Sequence, residues 1–99
     1  MRRDVLPDLS SRELTAVIAV AHYRSFMAAA ASLELSQPAM TRMIKRVERE
    51  LGVALFKRTT RQVAVTEAGQ EFAALAQRLL DDLRINVVHL RSRTEQLKG

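Results

Sequence analysis

The 99-residue sequence has no cysteine, no tryptophan, two prolines and three glycines. The missing cysteines exclude disulfides and thiolate metal sites, which suits a reducing compartment. Only His22 and His89 offer imidazole, and they lie far apart in the chain. Neither sits in a zinc-ligand spacing, and no Ser/His/Asp or paired-carboxylate constellation stands out, so neither a metal site nor a catalytic site is expected. The longest apolar run, Ala16 to Ala21, is far too short to span a membrane. No segment pairs a basic face with the broad aromatic or leucine face that interfacial insertion needs. Met1-Arg2-Arg3-Asp4 is charged, with no signal-peptide core after it. A cytoplasmic protein with no membrane partner is the expectation. Neither internal repeats nor low-complexity segments occur.

A chain of this length holds one domain with room for an appended element. It can bury roughly two-thirds of its unfolded surface, enough for a modest core. The net charge is +5, and its placement says more than its size. Between residues 37 and 61, seven basic residues face two acids, a net of +5, so the rest of the chain balances to zero. One concentrated basic region is the footprint of a polyanion partner.

Residues 36–51 hold four of those seven basic residues and read as one helix with two opposed faces. Met40, Ile44, Val47 and Leu51 recur at i, i+4, i+7 and i+11 as an apolar stripe. Pro38, Thr41, Arg42, Lys45 and Arg49 share the opposite face. Ser36 is a suitable N-cap, Pro38 fits the first turn, and Gly52 suits a left-handed terminus. Such a helix, with Gln37 and Thr41 near its start, suits a DNA major groove. The alternative is an ordinary solvated helix face.

Upstream, residues 1–8 read as a flexible arm ending at Pro7-Asp8. Ser10-Ser11-Arg12-Glu13 is a capping-box pattern, flanked by Leu9 and Leu14 at staple positions. It opens a helix that runs to His22 or Tyr23, with Leu14, Val17, Ile18 and Ala21 as its buried stripe. Ser25 caps a short second helix, Phe26 to Leu33, whose alanines allow close helix approach. Glu34-Leu35 makes the turn into the third helix. Two helices joined by so short a turn, the second with a basic outer face, form a helix-turn-helix.

After Gly52 the period changes. Residues 53–58, 59–62 and 63–66 read as strand, polar turn and strand. Lys57, Arg58 and Arg61 place positive charge at the tip, as a wing would. From Thr66, another N-cap, the helical period returns. Phe72, Ala76, Leu79, Leu80, Leu83, Val87 and Leu90 form a long stripe that continues to Leu97, with no Gly or Pro between residues 70 and 98. Asn86 and Arg93 interrupt its second seam position. About 30 residues at ~1.5 Å rise give ~45 Å, longer than a small winged domain is wide. A partner helix is therefore expected to cover the outer part.

Ser25-Phe26-x-x-Ala29-Ala30-x-x-Leu33-x-x-Ser36-Gln37-Pro38-Ala39-x-Thr41-Arg42-x-Ile44, then Val47-Glu48-x-x-Leu51-Gly52-Val53-x-Leu55-Phe56-x-Arg58, and finally Thr66-x-Ala68-Gly69, resembles the N-terminal domain of LysR-type transcriptional regulators. The match runs without a gap from about Leu9. The resemblance implies a mainly α protein, a winged helix-turn-helix of three helices and a two-stranded β wing, followed by a long dimerisation helix. Its segments would be an arm at 1–8, the DNA-binding domain at 9–66 and the linker helix at 67–99. The recognition helix (36–51) would enter the major groove, and the wing (55–66) would touch flanking DNA. Ser36, Gln37, Pro38, Thr41, Arg42, Lys45 and Arg46, with wing residues Arg58, Thr60 and Arg61, would contact DNA. Phe72, Ala76, Leu79, Leu80, Leu83, Val87 and Leu90 would dimerise the chain. The implied partner is a promoter inverted repeat in a bacterial genome, bound by a homodimer, or by a tetramer at full length. No cofactor is implied here, because members of the family bind a small-molecule effector in a separate C-terminal domain. Four positions depart from the family pattern: Arg24 and Thr60 stand where glycine is common, Met27 where a hydroxyl is frequent, and Gln62 where a base is frequent. The competing reading is a winged-helix protein-interaction module. It calls for an apolar or acidic outer face on the third helix, whereas this one is basic.

Overall fold

Capping chemistry sets the helix boundaries. The computed structural model describes residues 6–59 and 62–98. Helix α1 (Ser11–Tyr23) starts in a complete capping box. The Glu13 N–H donates to the Ser10 hydroxyl at 3.1 Å, and the Ser10 N–H donates to the Glu13 carboxylate at 2.8 Å. Two donors that the helix cannot satisfy internally are thus paired. The helix ends at Arg24, which is left-handed at φ 52° and ψ 36°. Helix α2 (Phe26–Ser32) is capped by the Ser25 hydroxyl, which accepts from the Ala28 N–H. The chain turns through Glu34, also left-handed at φ 57°, into α3 (Gln37–Leu51). Ser36 caps α3 by accepting from the Ala39 N–H at 3.2 Å. Pro38 lies in the first turn, where its missing N–H breaks no helical bond. Gly52 closes α3 at φ 72°, where a Cβ would be strained.

The three helices share one core. Met40, Ile44 and Val47 of α3, with Val17 and Val20 of α1 and Leu55 beyond α3, are fully buried. Each such side chain contributes about 1.5–3 kcal/mol by leaving water. The stripe expected on α1 is displaced. Ala16, Val17, Ala19 and Val20 are the buried apolar positions, while Leu14, Ile18 and Ala21 are only half-buried. Helix α1 packs against α2, α3 and α4 together, so its covered arc is wide. Small alanines share that arc with Val17 and Val20, while the larger Leu14 and Ile18 lie at its margins. Ala29 and Ala30 are likewise buried on α2.

The wing is shorter than its apolar run suggests. Strand β1 is Phe56–Arg58 and β2 is Val63–Val65, antiparallel, with Phe56 opposite Val65 and Arg58 opposite Val63. Val53 and Ala54 stay outside the ladder. Val53 is held by the end of α3, its N–H donating to the Glu48 carbonyl at 3.2 Å, and the Glu48 carboxylate accepts from the Leu55 N–H at 2.7 Å and the Phe56 N–H at 3.2 Å. A side chain thus replaces a strand as partner for those donors. At the tip the Thr59 hydroxyl donates to the Gln62 carbonyl at 2.7 Å and accepts from its N–H at 3.0 Å.

Thr66 joins the wing to α4 (Glu67–Lys98). Its hydroxyl accepts from the Gly69 N–H at 2.9 Å and donates to the Ala54 carbonyl at 2.8 Å. Its own N–H donates to the Leu55 carbonyl at 2.9 Å. At 32 residues α4 is about 48 Å long, and the molecule extends 58 Å along its longest axis. Two of the seven seam residues belong to the domain itself. Ala76 is fully covered within the single chain, and Phe72 packs against its core. The apolar face of α4 serves the protomer's own packing over its first turns and faces solvent after them. Leu79, Leu83 and Leu90 are each at least half exposed, and Leu80 and Val87 lie half-buried beside them. Ile85 and Val88, exposed on the opposite side of α4, fall outside that stripe.

Candidate nucleic-acid interface

The outer face of α3 is built by the same period that buries its inner one. Gln37, Pro38, Arg42, Lys45 and Arg49 are exposed, and Thr41 is half-buried at the margin. The two acids of α3 do not dilute this face. Glu48 holds the wing backbone, and Glu50 accepts from the Asp8 N–H at 2.9 Å. Ser36 sits at the start of the helix with its hydroxyl engaged as the cap.

The wing is tied to this face through Arg58. Its Nη2 donates to the Thr41 hydroxyl at 2.9 Å, and its guanidinium lies 4.1 Å from the Phe26 ring centroid. Phe26 in turn meets Phe56 edge-on, with centroids 6.3 Å apart. A planar guanidinium can stack and hydrogen-bond at once, which an ammonium cannot do in the same geometry. The positive charges of wing and helix are therefore held in fixed relation. Thr60 and Arg61, expected at the wing tip, lie outside the described residues.

Arg46 is engaged within the protein. Its sequence position suggested a phosphate contact, but its guanidinium is occupied within the protein. Nη1 donates to Glu13 at 2.7 Å and to the Asp8 carbonyl at 3.0 Å, and Nη2 pairs with the Asp8 carboxylate at 3.1 Å. Burial pushes the Glu13 carboxyl up, but hydrogen bonds from the Ser10 N–H and from Arg46 outweigh it and hold the group below its ordinary value of 4.5. Arg46 thus clamps the start of α1 to the middle of α3. Asp8 is fixed by the same clamp, so the last residue of the expected flexible arm is held. The first five residues of that arm lie outside the described residues.

Comparison with known proteins places this surface in context. Residues 11–70 match the model of the bacterial regulatory helix-turn-helix protein, lysR family. The chain belongs to the LysR family. Its relatives include the HTH-type transcriptional regulator CrgA of Neisseria meningitidis, 42% identical over 74 residues, which are 75% of this chain and 25% of CrgA. ClcR of Pseudomonas putida is 46% identical over 81 residues, 82% of this chain and 28% of that regulator. The chain thus spans about a quarter of the length of such LysR regulators. Among solved structures, the CbnR DBD–DNA complex matches with a TM-score of 0.84 at 35% identity, over 87% of this chain and 99% of that one. The BenM DBD/benA site 1 DNA complex matches at 0.81 and 33% identity, over 85% and 98%. The mainly α winged helix-turn-helix with a long following helix is the LysR arrangement that the resemblance implied.

Within this LysR domain, α3 and the wing bring Gln37, Pro38, Thr41, Arg42, Lys45 and Arg58 onto one side, while Arg46 lies apart in the clamp. Glu48 and Phe26 escaped the sequence reading as positioning residues. An acid kept inside a basic run was the available signal for Glu48; nothing local marked Phe26 as a platform for Arg58. Among the described residues no cluster of His, Asp and Glu could hold a metal ion, and no helix is long and apolar enough to cross a membrane.

Proposed function

We propose that this chain is the DNA-reading part of a cytoplasmic bacterial transcriptional regulator that binds double-stranded DNA as a homodimer. The observation that carries the reading is the undiluted basic face of α3 with Arg58 of the wing bonded to it through Thr41. The matching CbnR and BenM domains, of the same fold, were solved with DNA. In this reading α3 lies in the major groove. Gln37 can pair with the edge of adenine and Arg42 with that of guanine. The Thr41 hydroxyl accepts from Arg58 and keeps its proton for a phosphate. Lys45 and Arg49 meet phosphates beside the groove, and the wing lies on flanking DNA. The exposed leucines of α4 join two protomers, so that two α3 helices meet an interrupted inverted repeat. The chain needs no cofactor for this, and a small-molecule effector would act through a separate C-terminal domain.

The test is enrichment of a random double-stranded DNA pool at about physiological salt, where non-specific binding is weak. Recovery of an interrupted inverted repeat is expected. Arg42→Ala should weaken binding to that repeat by about 1–3 kcal/mol and relax preference at one base pair per half-site. Equal loss on the repeat and on random duplex would refute the base contact. No retention at all would favour the protein-interaction reading.

A further inference from the structure

Between the wing and the start of α3 runs an open groove lined by Arg24, Ser25, Gln37, Arg58, Thr59 and Gln62. It therefore opens beside the first residue of the proposed recognition helix. Three of its six polar side chains already have partners, and of the other three, Gln37, Gln62 and Arg24, only Arg24 is charged. Ser25 caps α2, Thr59 closes the wing turn, and Arg58 is held by Thr41 and Phe26. Met27, also lining the groove and 69% exposed, offers no hydrogen bond there. Arg24 differs from all of these. It is exposed and, among the described residues, its guanidinium makes no ion pair or hydrogen bond.

The backbone of Arg24 sharpens the point. At φ 52° it occupies the left-handed region, which costs a residue with a Cβ free energy that glycine does not lose. Arginine is a poor local choice there. The conformation itself belongs to the end of α1, where the Arg24 N–H donates to the Val20 carbonyl at 2.8 Å; the side chain has no such partner among the described residues and stands at the groove's edge with its charge free.

We infer that Arg24 is a further phosphate contact, carrying a free positive charge to the DNA backbone along this groove. The inference rests on the proposed DNA binding. The contact lies outside the recognition helix and wing, so it adds affinity without sequence preference.

Arg24→Gly and Arg24→Asn both suit a left-handed backbone and remove the charge. Arg24→Lys keeps it. Each is compared with the parent chain by titration of random-sequence duplex DNA across a salt series, with thermal unfolding alongside. The neutral variants should melt no lower than the parent yet bind more weakly. Their slope of log K against log salt should be shallower by about 0.9 per protomer, about 1.8 per dimer. Between 50 and 200 mM salt, the parent dimer should therefore lose about 12-fold more affinity than the neutral variants. Arg24→Lys should keep the parent slope. Neutral variants with the parent's affinity and slope would overturn the contact, as would a lysine variant as shallow as they are. A parent chain that fails to bind DNA would overturn the proposed function as well, so the two failures are distinguishable.

Discussion

Replacing Gly69 with alanine sets two effects against each other. Within a helix alanine is favoured over glycine by about 0.8–1.0 kcal/mol. If α4 were a free-standing helix, the substitution would stabilise it. The surroundings reverse the sign. A methyl at Gly69 would lie 2.9 Å from Val65 Cγ1 and 3.0 Å from the Leu55 carbonyl carbon, and closer still to that carbonyl's oxygen. The obstacle is backbone, so no rotamer change can relieve it. The same oxygen accepts from the Thr66 N–H at 2.9 Å, while the Thr66 hydroxyl donates to the neighbouring Ala54 carbonyl at 2.8 Å. Moving α4 away would stretch both bonds. Overpacking costs about 1–3 kcal/mol, and each weakened hydrogen bond about 1 kcal/mol. After the propensity gain, the net loss is about 2–4 kcal/mol. For a domain of this size each kcal/mol moves the melting temperature by about 4–8 °C. A drop of at least about 8 °C is therefore expected in thermal unfolding followed by circular dichroism. Protomer concentration must be fixed, because a dimer's midpoint depends on it. A midpoint equal to or above the parent's would refute the close-approach argument.

Two other predictions concern the ends of the molecule. Leu83→Lys combined with Leu90→Lys should give a folded monomer in sedimentation, because both leucines are more than half exposed on the single chain; an unchanged dimer would place the seam elsewhere. Glu13 titrates below its ordinary value of 4.5 in the folded chain. Its contribution is therefore full above the unfolded value and is lost as pH falls through the folded one. On acidification from neutral pH, the melting temperature of the parent should fall more steeply than that of Glu13→Gln; parallel profiles would show that the clamp contributes nothing through this carboxylate.

Signals that act within three or four residues were legible in the sequence. The capping residues Ser10, Ser25, Ser36 and Thr66 bond to N–H groups three positions on, and Gly52 ends α3 by its own backbone freedom. The apolar stripe of α3 was legible for the same reason, since its period is local. Arg46 was not. Its partners Asp8 and Glu13 lie 38 and 33 positions away, and on a helix wheel it borders the exposed basic residues Arg42 and Arg49. The centre of α1 was misjudged because hydrophobicity marks the largest residues, while its burial is set by three elements, α2, α3 and α4, that the local period cannot show. Phe72 and Ala76 share a stripe with the outer leucines, and only the folded domain shows where that stripe passes from interior to surface.

Helix α4 is also a lever. Its first turns are packed into the domain through Phe72 and Ala76, and beyond them it projects as a single rod of about 33 Å. A tilt of only about 5° where it leaves the domain would carry the far tip through roughly 3 Å. The distance between half-sites on DNA follows the helical turn, about 34 Å. Small rotations imposed at the tip would therefore change whether two recognition helices fit successive turns. The rigidity of this rod, more than any side chain at its end, would set how faithfully such a rotation is transmitted.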